Sequence, residues 1–148
     1  MEQELIKVLD KNLECSKCRI KTDKIIMEVH SVKGVVTCPF CGHISSRIHS
    51  TYQREIQDIS LHDKETVLLL EVRKMFCDNS ECSHKTFSER FDFLAPNAKK
   101  TNRLIDKILM TSTKLSSVNA ATLFKSSGIR TSKSSICDLL KKNASHCG

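Results

Sequence analysis

Two close cysteine pairs constrain this chain more than any other feature: Cys38-Pro39-Phe40-Cys41-Gly42 and Cys77-Asp78-Asn79-Ser80-Glu81-Cys82. They form a C-x2-C and a C-x4-C separated by 35 residues that read as strands. Four thiolates delivered two at a time from tight turns are the donor set of a tetrahedral zinc ion, each about 2.3 Å from the metal. Gly42 suits the first turn, because a residue without Cβ lets the backbone curl and aim N–H groups at sulfur. A second combination competes. Cys15-Ser16-Lys17-Cys18 is also a C-x2-C, and only 19 residues separate it from Cys38. That spacing matches common ribbon templates better. Against it, Cys18 is followed by Arg19 rather than glycine. On spacing alone both combinations remain open. His43, His49 and His84 flank the pairs, and His84 is the best placed to replace a cysteine as ligand.

With 148 residues, 5% aromatics and no Trp, the chain can bury only a modest core, which a structural metal would supplement. No apolar run approaches the roughly 18 residues of a membrane span. The acidic start, Met1-Glu2-Gln3-Glu4-Leu5, is unlike a secretory signal. The thiols are therefore expected to be reduced, and eight cysteines argue for a metal site rather than disulfides. The net charge of +7 is uneven. From Ala98 onward there are ten Lys and Arg against two acids, whereas residues 1–97 carry 14 basic and 15 acidic side chains. Such asymmetry predicts a polyanion-binding segment joined to a near-neutral one.

The periodicity supports this division. Leu5, Ile6, Val8 and Leu9 suggest a short N-terminal helix. Lys24 to His30 reads as a strand, Ser31–Gly34 as a turn, and Val35–Thr37 as the return of a hairpin delivering Cys38. Ser46–Ile59 and Glu65–Phe76 read as an antiparallel pair around a turn at residues 60–64, with Leu68, Leu70, Val72 and Phe76 on one face and Glu71, Arg73 and Met75 on the other. After Pro96 the period becomes helical. Leu104, Ile105, Ile108 and Leu109 form one stripe. Val118, Ala121 and Phe124 form a second, capped by Ser116 or Ser117 and ended by Gly128. Ile136, Leu139 and Leu140 form a third, capped by Thr131 or Ser132. The predicted fold is α+β: an extension (1–23), a zinc-bound antiparallel β module (24–95) and a three-helix, helix-turn-helix-like module (96–148).

In such a module the last helix enters the major groove, although the Gly128–Ile136 turn is looser than the tightest versions. Lys133, Ser134, Cys137 and Lys141 lie away from the Ile136/Leu140 face, and Arg130, Thr131 and Ser132 sit where a helix N-terminus would meet phosphate. Lys99, Lys100 and Arg103 are expected to add phosphate contacts. The bland alternative is a helical bundle with a basic surface. No Gly-rich phosphate loop, H-E-x-x-H or nucleophile triad is present, and four thiolates would close the metal to a substrate, so no enzymatic activity, no small-molecule substrate and no membrane is expected.

Several motifs in order resemble one family: Cys38-Pro39-Phe40-Cys41-Gly42, Ser45-Ser46-Arg47-Ile48-His49-Ser50, Arg73-Lys74-Met75-Phe76-Cys77-Asp78-Asn79 with Cys82, and Phe87-x-Glu89-Arg90-Phe91. This is similar to the N-terminal part of bacterial insertion-sequence transposases of the ISL-three type, over about residues 24–142. The resemblance implies Zn2+ on Cys38, Cys41, Cys77 and Cys82, then a helix-turn-helix, both binding the terminal inverted repeats of the element in double-stranded DNA. Cys15 and Cys18 match no motif of the family. Members continue into an RNase-H-like domain whose carboxylates hold catalytic metals. Because this sequence ends at Gly148, the expectation is a truncated, cytoplasmic, nucleoid-associated DNA binder. The rival expectation is a zinc-ribbon interaction module that pairs with itself or with the full-length transposase and inhibits it.

Overall fold

The computed structural model describes residues 2–112 and 117–146, without the side chains of Glu2, Ser117, Val118, Ser126 and residues 141–146. The elements are α1 (Glu2–Leu9), β1 (Leu13–Ile20), β2 (Lys24–Ser31), β3 (Val36–Thr37), β4 (Ile44–Ser45), β5 (Ile48–Leu61), β6 (Lys64–Phe76), β7 (Thr86–Ser88), α2 (Asn102–Ser112), α3 (Ser117–Ser126) and α4 (Lys133–His146). The α+β class is as expected.

The hairpin β5–β6 is the spine. Its two-residue turn, His62–Asp63, has φ of 50° and 59°, the primed geometry that matches strand twist. The even side chains Leu68, Leu70 and Val72 enter the main core with Met27, Val29, Ile56 and Ile6. At its far end β6 changes the face it buries. Met75 is fully buried with Val36, Cys38 and Phe87, while Phe76 is half-buried. One strand thus serves two cores.

The expected hairpin between residues 24–30 and 35–37 does not form. Instead β2 lies between β1, antiparallel, and β6, parallel, with Lys24 opposite Glu65 and Val29 opposite Leu70. Ile25, Met27 and Val29 are buried, so this strand needs a partner on each edge, which a two-residue β3 cannot supply. The short β3 pairs with β4 around the first cysteine turn.

β1 overturns the rival metal pairing. Its register shifts between Cys15 and Lys17, placing Cys15 opposite Val29 and Cys18 opposite Met27. Residues three apart in a regular strand face opposite ways; the bulge turns both cysteines to the same side. Both pack on the main core as small apolar groups.

Three helices form the second unit, around Leu104, Ile108, Ala120, Phe124, Ile129 and Ile136. Ser116 and Cys147 lie outside the described residues. Gly128 closes α3 at φ 82°, with Ile129 N–H donating to Phe124 O (2.7 Å) in a Schellman arrangement. Ser132 caps α4 by accepting from Ser135 N–H (3.1 Å).

The helical unit is fastened to β5 by backbone and by charge. Gln57 N–H donates to Lys99 O (2.9 Å), and Thr101 N–H donates to Gln57 O (3.0 Å). Asp58, buried on β5, accepts from Thr101 Oγ1 (2.7 Å) and from Arg103 Nε (2.9 Å), with a further bond from Arg103 Nη2. Thr101 Oγ1 also accepts from Leu104 N–H at the start of α2. Asp58→Ala removes this fastening and leaves Arg103 unpaired. We expect a loss of about 2 kcal/mol, allowing for the solvent that reaches the guanidinium, in urea unfolding.

Candidate metal centre and nucleic-acid interface

The first cysteine turn is built by β3 and β4. Gly42, at φ 80°, lets its N–H donate to Cys38 O (2.9 Å), and Cys38 N–H donates to His43 O (2.8 Å). The second turn leaves β6 directly, as the strand pattern predicts, and returns to β7 through Cys77 N–H to Lys85 O (2.8 Å). The turns are tied to each other. Ser45 Oγ donates to Phe76 O, Phe76 N–H donates to Arg47 O (2.9 Å), and the Arg47 guanidinium pairs with Asp78.

This brings the sulfurs of Cys38, Cys41, Cys77 and Cys82 within 4.8 Å of one another. Cys41 Sγ and Cys77 Sγ are 3.5 Å apart. Four sulfurs at about 2.3 Å from a tetrahedral zinc lie about 3.8 Å from one another, so the cluster has the size of the ion. A disulfide would need about 2.05 Å. Backbone N–H groups two residues on point at the sulfurs: His43 at Cys41, Asn79 at Cys77, and His84 at Cys82 (3.4 Å). These bonds stabilise thiolate and orient it. The same i+2 pattern on both turns was not legible from spacing.

Among the described residues no histidine enters the cluster, which consists of four cysteines. The His84 ring stacks on Phe40 at 3.6 Å, and His49 lies edge-on to Phe76. Their contribution is packing, plus the N–H of His84.

Without the ion, Cys41 and Cys77 ionise unequally. The His43 N–H, followed by the Asn79 side chain, holds Cys41 down to about 6. The Asn79 N–H also pulls Cys77 down, but burial and the neighbouring thiols outweigh it and push Cys77 up to about 12. At neutral pH Cys41 is largely thiolate while Cys77 still holds its proton, so binding releases a proton from Cys77. Zinc affinity should therefore rise with pH and fall more steeply below about 6, where Cys41 takes up a proton as well. A chromophoric chelator titrated against the protein across pH 5–8 checks this; a flat profile would contradict it.

The basic residues fall into different situations. Lys99, Lys100, Arg130, Thr131 and Ser132 line one cavity of about 780 Å³ between β5, residues 97–100 and the start of α4. Burial, with Arg130 and Lys99 adding repulsion, lowers the Lys100 ammonium below the usual lysine value. Lys133 and Ser134 are exposed on the first turn of α4. The Lys141 side chain lies outside the described residues. Arg103 departs from expectation: its guanidinium is engaged by Asp58, not presented to an anion. Two residues missed from the sequence hold this face together. Arg54 on β5 lines the cavity and donates to Ala98 O. The buried Gln57 carboxamide, with its NH2 toward Arg130 O (3.0 Å) and its oxygen toward Arg130 N (2.7 Å), clamps that backbone beside Lys99. Neither has a periodic or spacing signal.

Fold and site together define a four-thiolate zinc ribbon joined to a small helical unit. Residues 34–82 match the family described as the zinc-finger of transposase IS204/IS1001/IS1096/IS1165. Residues 34–82 are thus similar to the zinc ribbon of ISL-three-type transposases, and the ion the four cysteines bind is zinc. No curated protein and no solved structure shows a significant match to the chain. Among the described residues no helix is long and apolar enough to cross a membrane.

Proposed function

We propose that this chain binds duplex DNA at the terminal inverted repeats of an insertion sequence, with ribbon and helical unit acting together. The observation that carries this reading is the match of residues 34–82 to a transposase zinc finger, followed by a helical unit whose connecting segments bring Lys99, Lys100 and Arg130 to one cavity. In this reading α3 and α4 act as a loose helix-turn-helix. Lys133 and Ser134 on the first turn of α4 meet base edges, and Lys99, Lys100 and Arg130 meet phosphate. The metal is structural: four thiolates leave no open position for water, so the reading assigns binding and no chemistry to these residues.

Titration of a terminal-repeat duplex at rising salt tests it. With three to five phosphates neutralised, log Kd should change with log salt at a slope of about 3 to 5, and a repeat duplex should bind tighter than a scrambled one. Binding indifferent to salt would count against the reading.

A second reading has its own support. Phe40, Ile44, Ile48 and Tyr52 are 48%, 61%, 51% and 43% exposed, an apolar run along the ribbon side of the molecule. This favours a protein-docking surface, for a second copy or for a full-length transposase that such pairing would inhibit. Light scattering of the chain alone and mixed with intact transposase separates the two.

A further inference from the structure

The 780 Å³ cavity does not end at β5. A second cavity, of about 270 Å³, opens between β5 and the Phe40–His84 stack, and Arg54 and Asn97 line both. The two adjoin at these residues, and together they form a groove that leads from the ribbon toward the N-terminus of α4. Asn97 marks the junction, where a φ of 64° turns the chain along β5.

Cationic side chains line the groove along its length, beside Phe40 and Tyr52 at the ribbon end. Lys74 and Arg90 line the ribbon end, Arg54 the junction, and Lys99, Lys100 and Arg130 the helical end. Its acids are few. Of the two that line it, Glu89 forms a bidentate pair with Arg73, which leaves Glu55; Glu65, outside the groove, lies 3.6 Å from Arg130. Lys99 and Lys100 have no acidic partner within ion-pair distance among the described residues. Their backbone is held by pairing to Gln57, which keeps the half-buried Lys100 beside Lys99 at the groove. Adjacent cations without acidic partners, Lys99 and Lys100, repel each other, a cost that a polyanion lying along the groove lowers.

We propose that this groove is a track for one strand of a nucleic-acid sugar–phosphate backbone, continuous from the zinc ribbon to α4, with Arg54 as the contact shared by both units. The inference rests on the DNA-binding reading and deepens it: ribbon and helices grip one strand as a single surface, not two separate contacts. The track contributes affinity for any sequence, and discrimination falls to the exposed first turn of α4.

The zinc-loaded chain is titrated with a random-sequence duplex and a terminal-repeat duplex over a range of potassium chloride. Arg54→Gln, Lys100→Gln and Arg90→Gln should each weaken both duplexes by the same several-fold factor and lower the salt slope by about 1. Arg54→Lys should restore the slope. Lys133→Gln should reduce preference for the repeat and thereby differ from the track variants. Arg54 also holds Ala98, so melting curves accompany each variant; if Arg54→Gln melts early, Lys100→Gln and Arg90→Gln decide. Unchanged slopes for those two, with Lys133→Gln still erasing preference, would overturn the track while leaving DNA binding intact. An effect of Lys100→Gln without one of Arg90→Gln would overturn its continuity to the ribbon. No affinity of the parent chain for either duplex at low salt would overturn both readings.

Discussion

Cys77→Ser should reduce bound zinc from one equivalent to near none and lower the melting temperature of the chain, whereas Cys15→Ser and Cys18→Ser should keep the full equivalent. Serine is nearly the size of cysteine but stays protonated at neutral pH, so it cannot replace a thiolate ligand. Three sulfurs hold zinc far more weakly than four, and the loss reaches further than the metal. Cys38 is buried, Cys77 and Cys82 are partly buried, and all pack with Val36, Met75 and Phe87. That cluster is small; without the ion, the two turns are tied mainly by the bonds of Ser45, Phe76 and Arg47. The expected result is local: the ribbon end of β6 loosens while the core of Leu68 and Leu70 persists. Hydrogen exchange should show lost protection over residues 36–47 and 75–88 and retained protection over 64–72. Zinc by elemental analysis, with melting curves before and after chelation, completes the comparison. Full zinc in Cys77→Ser, or its loss in the Cys15 and Cys18 variants, would reverse the ligand assignment.

The same cysteines show how far sequence reading reaches. The pair 77 and 82 could be assigned because the long alternating strand before it has one obvious terminus, and because the family motifs fall there. The pair 15 and 18 could not be excluded, since a C-x2-C reads alike on a turn or across a β-bulge. Only the register against Val29 and Met27 reveals the bulge. Helical stripes such as Leu104 and Ile108 are legible because they repeat every three to four residues within one element. The parallel partnership of β2 with β6 is not, because it joins strands far apart in the chain that contain no shared pattern. Charge was the least legible property. Arg103 looks like Lys99 and Lys100 in composition, yet its partner Asp58 lies 45 residues earlier and claims it. Arg54 and Gln57 look like solvent-facing strand positions until residues 97–101 and 130 are laid beside them.

Gly128→Val should detach the helical unit from the sheet more effectively than any side-chain truncation there. Two independent causes act at this position. Its φ of 82° is a conformation that β-branched residues scarcely adopt. A Cβ would also lie 2.6 Å from Asp63 O and 2.7 Å from Lys64 C, the backbone of the β5–β6 turn. That turn is held by the spine hairpin of the molecule and cannot retreat, so the α3–α4 connection must move. Moving it breaks the Schellman bond from Ile129 and shifts Ile129 from between Phe124 and Ile136. Backbone conformation and overlap together are expected to cost about 3 kcal/mol or more, a fall of roughly 10 °C in melting temperature for a chain of this size. Gly128→Ala should show most of this effect, because the clash begins at Cβ. Gly34→Ala serves as control: its φ is ordinary and nothing lies within 4 Å of the added carbon, so it should melt like the parent. In DNA titrations Gly128→Val should lose affinity while keeping its zinc, since the metal site lies at the opposite end of β6 from the Asp63 turn. A Gly128→Val protein that melts with the parent would mean that the helical unit is not seated on the hairpin, and the groove shared by β5 and α4 would not exist.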